Sequence, residues 1–319
     1  MRGHTSIYNV FRDQTLSTSG LTTFSKEFPL GEGWHMMLLT FKITIGGSGM
    51  ASAISEGELQ IIKNILFLTD RDGNCVNCPG RGLFYLARAQ AKHLPNKDAI
   101  AASTGDYYVS VPLFFSNPSM SVSKDSVLDT SRYQSVNLHL TMGGLTDLFG
   151  TVGSATLALS LSCDVLRTKG ALPQSAKPLL YPYISAMPQV NPANQQYIEL
   201  ERSVDLALLM VMAHTANSVT SGEGFSGTNT ANVLSRISIE DNDEIIFNER
   251  NVRQIIDQNE IEHHLDAVTG FYFFDFQAEG SHFGAYATGP KTRVQLKWVN
   301  DTLSTSGVTA LVSGVRTLK

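Results

Sequence analysis

The chain has 319 residues, 42% of them hydrophobic and only 17% charged, with a formal net charge of -5. That length exceeds one ordinary domain and allows two units of about 150 residues, each able to bury its own core. An acidic balance excludes a protein whose main task is to coat nucleic acid, because phosphate binding is largely counterion release by Lys and Arg, and a charge content below the roughly 25% of average domains points to a surface covered by partners.

Residues 1–20 read as an N-terminal arm. The opening Met-Arg-Gly-His-Thr-Ser lacks the apolar run of a signal peptide, so synthesis in a host cytoplasm is the expectation. Ile7, Val10 and Phe11 fall at i, i+3 and i+4 beside Arg2 and Arg12, which predicts a short interfacial helix on an inner or membrane-facing side. Residues 21–167 form a first unit, with strands predicted over 21–28, 34–45, 59–69, 107–115, 136–142 and 155–166. The Gly- and Ser-rich stretch 46–52 reads as a mobile surface loop. Asp72-Gly73 predicts a two-residue type I′ hairpin turn, since both central positions need positive φ. Leu83, Leu86, Ala87, Gln90, Ala91 and Leu94 then share one helical face, which predicts a short amphipathic helix.

Residues 168–197 hold five of the 11 prolines and read as a stiff, extended linker. The second unit, 198–319, repeats the first. Residues 107–115 return at 271–279, 136–142 at 294–300 and 155–167 at 307–319, in the same order and at offsets of 164, 158 and 152. The acidic turn at 70–74 returns at Asp241-Asn242-Asp243, again followed by a helical pattern in Val252, Ile255, Ile256, Ile261 and Leu265, with Asn248 as its expected N-cap. A second Gly/Ser/Thr-rich loop is expected over 220–232. The fold class is therefore all-β with short helices, built twice.

Candidate chemistry is thin. Cys75 and Cys78 have the spacing of half a zinc site, but Cys163 is the only other thiol, so buried or hairpin thiols are the better reading. The run 70–74 imitates the start of a calcium loop, yet the sixth and twelfth positions are Cys75 and Arg81; an Asx-bonded turn is the plainer account. His263 and His264 diverge on a helix and cannot chelate one ion together. The aromatic run 271–276 lacks interleaved basic residues and reads as a core strand, not a base-stacking platform. No hydrolase elbow, zinc-protease, phosphate-loop or dinucleotide motif occurs. The expectation is no catalytic residue, no cofactor and no metal.

Charge does separate the two turn-plus-helix regions. Residues 66–97 carry five basic against two acidic side chains, a net of +3, and residues 236–266 carry three against nine, a net of -6. Arg81, Arg88 and Lys92 on one side, and Glu249, Asp257, Glu260 and Glu262 on the other, are the candidates for subunit contacts steered by opposite charge.

The duplicated strand order, with the run 107–115, then Val127-Leu-Asp-Thr-Ser-Arg-Tyr133, then 136–142, resembles the double jelly-roll major capsid proteins of tailless icosahedral viruses. That lineage joins adenovirus to bacteriophages with an internal membrane, and the chain looks most like its smaller phage members, such as a small lipid-containing phage of flavobacteria. The resemblance spans about residues 20–319 and implies two tandem eight-stranded antiparallel jelly rolls. It further implies a homotrimer forming a pseudo-hexagonal capsomer, in contact with neighbouring capsomers, penton and minor capsid proteins and internal membrane lipid, without sequence-specific nucleic acid binding. A sugar-binding or adhesin-like β-sandwich and a two-cupin enzyme are the alternatives. The eight histidines are too scattered for a bicupin, and an adhesin would carry a secretion signal.

Overall fold

The computed structural model describes residues 4–17, 22–91, 95–116, 127–169, 180–189, 197–201, 204–215, 234–242, 244–263, 270–276, 286–288, 293–300 and 306–317. Its first half contains β1 (His4–Leu16), β2 (Thr22–Glu27), β3 (Gly33–Gly46), β4 (Ala51–Ala53), α1 (Gly57–Gln60), β5 (Ile62–Thr69), β6 (Gly73–Cys78), α2 (Gly80–Ala91), β7 (Gly105–Phe114), β8 (Leu128–Asp129), β9 (Val136–Met142), β10 (Phe149–Thr151) and β11 (Thr156–Lys169). The second half contains β12 (Leu180–Gln189), β13 (Tyr197–Glu199), β14 (Asp205–Thr215), β15 (Leu234–Asp241), β16 (Glu244–Asn251), α3 (Val252–His263), β17 (Phe271–Asp275), β18 (Val294–Asn300) and β19 (Ser306–Thr317).

Both halves are jelly rolls with the same wiring. In the first, β1-β11-β3-β7 faces β2-β9-β5-β6; in the second, β12-β19-β14-β17 faces β13-β18-β15-β16. The segments that repeat in the sequence are thus equivalent strands: β7 with β17, β9 with β18, and β11 with β19. Each roll places one 12-residue helix, α2 or α3, after its fifth main strand. The sheets are not separate, however. β12 runs parallel to β6 through the pairs Ile184–Val76 and Ser185–Asn77, which fuses four strands of each roll into one eight-stranded sheet.

Alternation builds the cores. Along β3, Met37, Leu39, Phe41, Ile43 and Ile45 are buried while Leu38, Thr40, Lys42 and Thr44 between them are half-buried, the period-two pattern of a strand with one core face. One end of the first core is an aromatic cluster, with Phe28 edge-on to Trp34 at 5.4 Å and Phe67 beside Phe115 at 5.3 Å.

Several expectations need correction. Residues 4–16 are not a helical arm but β1, paired along its length with β11 and broken by two register shifts. Val10 and Phe11 pack against the first core, Ile7 is 74% exposed, Arg12 is exposed, and Arg2 lies outside the described residues. The proline-rich stretch contributes β12, bonded to β19 over ten residue pairs; Pro173, Pro178 and Pro192 lie outside the described residues. The first acidic turn is not a two-residue type I′ turn: only Gly73 takes positive φ, +69°, after the three residues 70–72. Its counterpart is tighter, with Asp241 facing Glu244 and Asn242 at φ +49°. The stretch 46–52 is tied down through β4, which pairs with β10, and through Ser154 N donating to Ser48 O. The 220–232 loop lies outside the described residues. Asn251, not Asn248, caps α3 by accepting from Arg253 N at 2.9 Å.

Candidate assembly surfaces

The acidic turns are fasteners. Asp70 Oδ1 accepts from the backbone N–H groups of Gln134 and Ser135, and Tyr133 donates its hydroxyl to Asp72. In the second roll Tyr286 donates to Asp241, while Asn242 Oδ1 accepts from Arg293 N at 2.9 Å. Each turn is therefore clamped to the segment leading into the penultimate main strand of its roll, β9 or β18, by its own carboxylates and amide. The three cysteines are buried and form no disulfide, and burial pushes the Cys78 thiol well above its ordinary range and the Cys163 thiol up to about 12. Such thiols are poor nucleophiles, because the thiolate is the reactive form.

The most organised surface lies between the rolls. Helix α2 is buried on nearly every side, from Gly80 to Ala89, which a helix with one apolar face would not be. One side, including Leu83, belongs to the first core. The other meets the outward face of β12-β19-β14-β17. There Tyr85 lies 4.2 Å ring to ring from Phe271, the Arg81 guanidinium stands 6.0 Å from the same ring, and Gln90 Nε2 donates to Ser313 Oγ at 3.1 Å. Gly82 allows the approach: a Cβ there would fall 2.9 Å from Leu311 Cδ1 and 3.0 Å from Cys78 Sγ. Arg81 also pairs with Glu56 at 2.6 Å, and Tyr85 donates to the same carboxylate. As a result Met210, Met212, Phe271, Phe273 and Leu311 of the second roll belong to the first core, while Val211, Tyr272, Phe274 and Val312 on the other face belong to the second.

This geometry changes the charge reading. Arg81 and Arg88 are 6% and 9% exposed, held inside the chain, so they do not form the cationic outer face that the sequence count suggested. Lys92 lies outside the described residues. Asp257 and Glu260 are exposed on α3 as expected, whereas only the backbone positions of Glu249 on β16 and Glu262 on α3 are described. Ile261, expected on the core side of its helix, is 75% exposed. The residues of the joint itself, Gly82, Tyr85, Phe271 and Leu311, went unrecognised. The signal was present in adjacent bulky residues Leu83-Phe84-Tyr85-Leu86, which no single helical face can hold.

The outward face of the first roll's β1-β11-β3-β7 sheet is open by contrast. Ile7, Leu166, Met36 and Phe114 stand side by side across its four strands, in register. Further along β3 the face turns to hydroxyls, where Thr40 Oγ1 lies 3.4 Å from Ser110 Oγ, and then to charge, where Lys42 pairs with Asp106 at 2.9 Å beside Tyr108. Tyr108 is 46% exposed. Among the described residues no cluster of His, Cys, Asp and Glu could hold a metal ion, and no helix is long and apolar enough to cross a membrane.

Solved structures share this architecture from end to end. The STIV major capsid protein superposes with a TM-score of 0.74 at 11% identity, over 99% of this chain and 97% of the other. The major capsid protein of bacteriophage PM2 gives 0.63 at 13% identity, over 99% and 98%. The PBCV-1 virus capsid gives 0.61 at 12% identity, over 99% and 94%. The fold is the double jelly roll. At these identities the likeness establishes the fold alone. No family model matches the chain, and no curated relative does.

Proposed function

We propose that this chain is the major coat protein of an icosahedral virion, a structural protein and not an enzyme. The observation that carries the reading is the end-to-end match: nearly the whole chain is used by two rolls fused through one sheet, and nearly the whole of each similar coat protein is used in the same way. A binding module would need neither the second roll nor the rigid fusion.

In this reading three copies make a six-block tile, because each chain supplies two stiff wedges, and tiles meet across their rims to cover the six-coordinated positions of a shell. Sheets packed face to face give such blocks few open edges. The first roll's last main-sheet edge illustrates it: β7 is covered by residues 96–98 through Ser110 N to Asn96 O and Asp98 N to Tyr108 O. Five-coordinated vertices require a separate penton protein, and minor proteins and an internal membrane complete the particle. The division of the chain into a first roll, a linker and a second roll at 21–167, 168–197 and 198–319 is kept here as a functional description, with residues 4–16 added to the first roll and β12, residues 180–189, moved from the linker to the second.

The decisive experiment is expression followed by light scattering and electron microscopy. A species of three times 34.8 kDa, converting to closed shells or hexagonal sheets at high concentration, is the expected result. A chain that stays monomeric and forms no ordered assembly under any tested condition refutes the coat reading.

A further inference from the structure

Each half of the joint between the rolls occurs a second time in the chain, without its mate. Helices α2 and α3 have equal length, 12 residues, and start 172 residues apart, at Gly80 and Val252. With that offset Leu83 corresponds to Ile255 and Ala87 to Asn259, and all four are buried against their own roll. The α2 positions that meet the second roll, 81, 82 and 85, and position 89 one turn further along the same helical face correspond to Arg253, Gln254, Asp257 and Ile261. All four of these are exposed. The face of α3 that repeats the docking face of α2 is therefore bare.

The receiving surface is duplicated too. In the second roll, α2 covers the outward face of β12-β19-β14-β17; in the first, the equivalent face of β1-β11-β3-β7 is the open surface carrying Met36, Leu38, Thr40 and Tyr108. The strand edges follow suit. β6 and β12 are joined in parallel, while among the described residues their equivalents pair on one side only, β16 with β15 and β1 with β11. By the same offset Val76-Asn77 corresponds to 248–249 on β16. Counted from the residues that face the ends of β19 and β11, Ile184-Ser185 corresponds to Tyr8-Asn9 on β1.

We infer that α3 and the β16 edge of one copy dock onto the outward β1-β11-β3-β7 face and the β1 edge of a second copy, reproducing between chains the α2 joint made within each chain. The occupant is a second copy because the chain itself holds the template: one closed joint plus both open halves of another. A joint between two different patches is head-to-tail, and it closes a ring only when its rotation divides the circle. Six rolls joined alike, three joints within chains and three between them, form such a ring. The inference rests on the coat reading and specifies its subunit contact.

Two substitution sets test it. Gln254→Arg with Ile261→Arg spoils the helix half, and Leu38→Arg with Thr40→Arg spoils the sheet half; each alone should abolish the trimer and leave a monomer of 34.8 kDa. Mixed one to one, the two variants retain one intact pair of halves, so a dimer of twice 34.8 kDa should form and grow no further. A trimer persisting in either variant, or a mixture that stays monomeric, overturns the joint. Should a variant fail to fold, thiol cross-linking replaces it: copies carrying Ile261→Cys are assembled with copies carrying Thr40→Cys and treated with a bismaleimide. The native thiols are buried and give little background. Cross-links between the two kinds of copy are expected, and their absence from a parental trimer overturns the joint while leaving the coat reading intact. A parent that never trimerises refutes the coat reading itself.

Discussion

Helices α2 and α3 hold the same place in their rolls and have the same length, yet one is buried on both sides and the other is bare on its outer side. The sequences differ accordingly. α2 has glycine and aromatic residues where it meets the second roll, at Gly82 and Tyr85, and α3 has Gln254 and Asp257 at the same positions. A contact made permanently within a chain can be close-packed like a core. A surface that must also be soluble before it meets a partner keeps polar and charged groups around a few apolar anchors, here Ile261. The pair thus separates what a joint needs for folding from what it needs for association.

The largest way to break that contrast is to remove the ring at the centre of the internal joint. Phe271→Ala takes away a buried side chain packed at a tilt against Tyr85, 4.2 Å ring to ring, and should lower unfolding stability by about 3–5 kcal/mol in denaturant titration. Tyr108→Ala, on the exposed face of the first roll, should change monomer stability by no more than about 0.5 kcal/mol and act on assembly alone. Equal losses in both variants would mean that the two faces are not used differently.

Arg81 and Arg253 make a second pair. Arg81→Ala leaves the Glu56 carboxylate without its 2.6 Å guanidinium in a site where both side chains are mostly buried, a loss of about 3 kcal/mol by chemical unfolding. Arg253 is exposed, and Arg253→Ala should be near neutral in the same assay. The next effect is smaller. Gly82→Leu overfills the approach to Leu311 and Cys78, at about 1–3 kcal/mol, whereas Gln254→Leu meets solvent and should leave the monomer as stable as before.

The same contrast explains what could be read from the sequence. Repeats at 107–115, 136–142 and 155–167 identified equivalent strands because each packs at least one face against a core. β1 was misread because Ile7, Val10 and Phe11 satisfy a helical spacing, and because its two register shifts destroy a clean period of two. β12 was hidden by Pro182 and Pro188. Both prolines are tolerated because β12 meets β6 only at residues 184–185, so their missing N–H groups are not needed on that side. Charge counts could place acid on α3, where Asp257 and Glu260 are exposed. They could not reveal that Arg81 and Arg88 turn inward, since that depends on the second roll closing over α2.

The gentlest test asks whether the α2 joint makes the two rolls unfold together. Burial pushes the Cys163 thiol of the first roll from 9.0 up to about 12, and the Tyr272 phenol of the second roll from 10.0 up to about 12. Between those limits the folded chain keeps protons that the unfolded chain has released, so it binds more protons and its stability must fall as pH rises. Below pH 9 the contribution is fully present; it erodes from about 9 for the thiol and about 10 for the phenol. Thiol labelling then reports the first roll, which holds all three cysteines. Tyrosinate absorbance, taken as the difference between the parent and Tyr272→Phe, reports the second. A rigid α2 joint predicts one alkaline midpoint for both probes in the parent and two separated midpoints once Gly82→Leu has wedged the rolls apart. Separate midpoints already in the parent would mean that the rolls are merely neighbours, and that the buried face of α2 does not couple them.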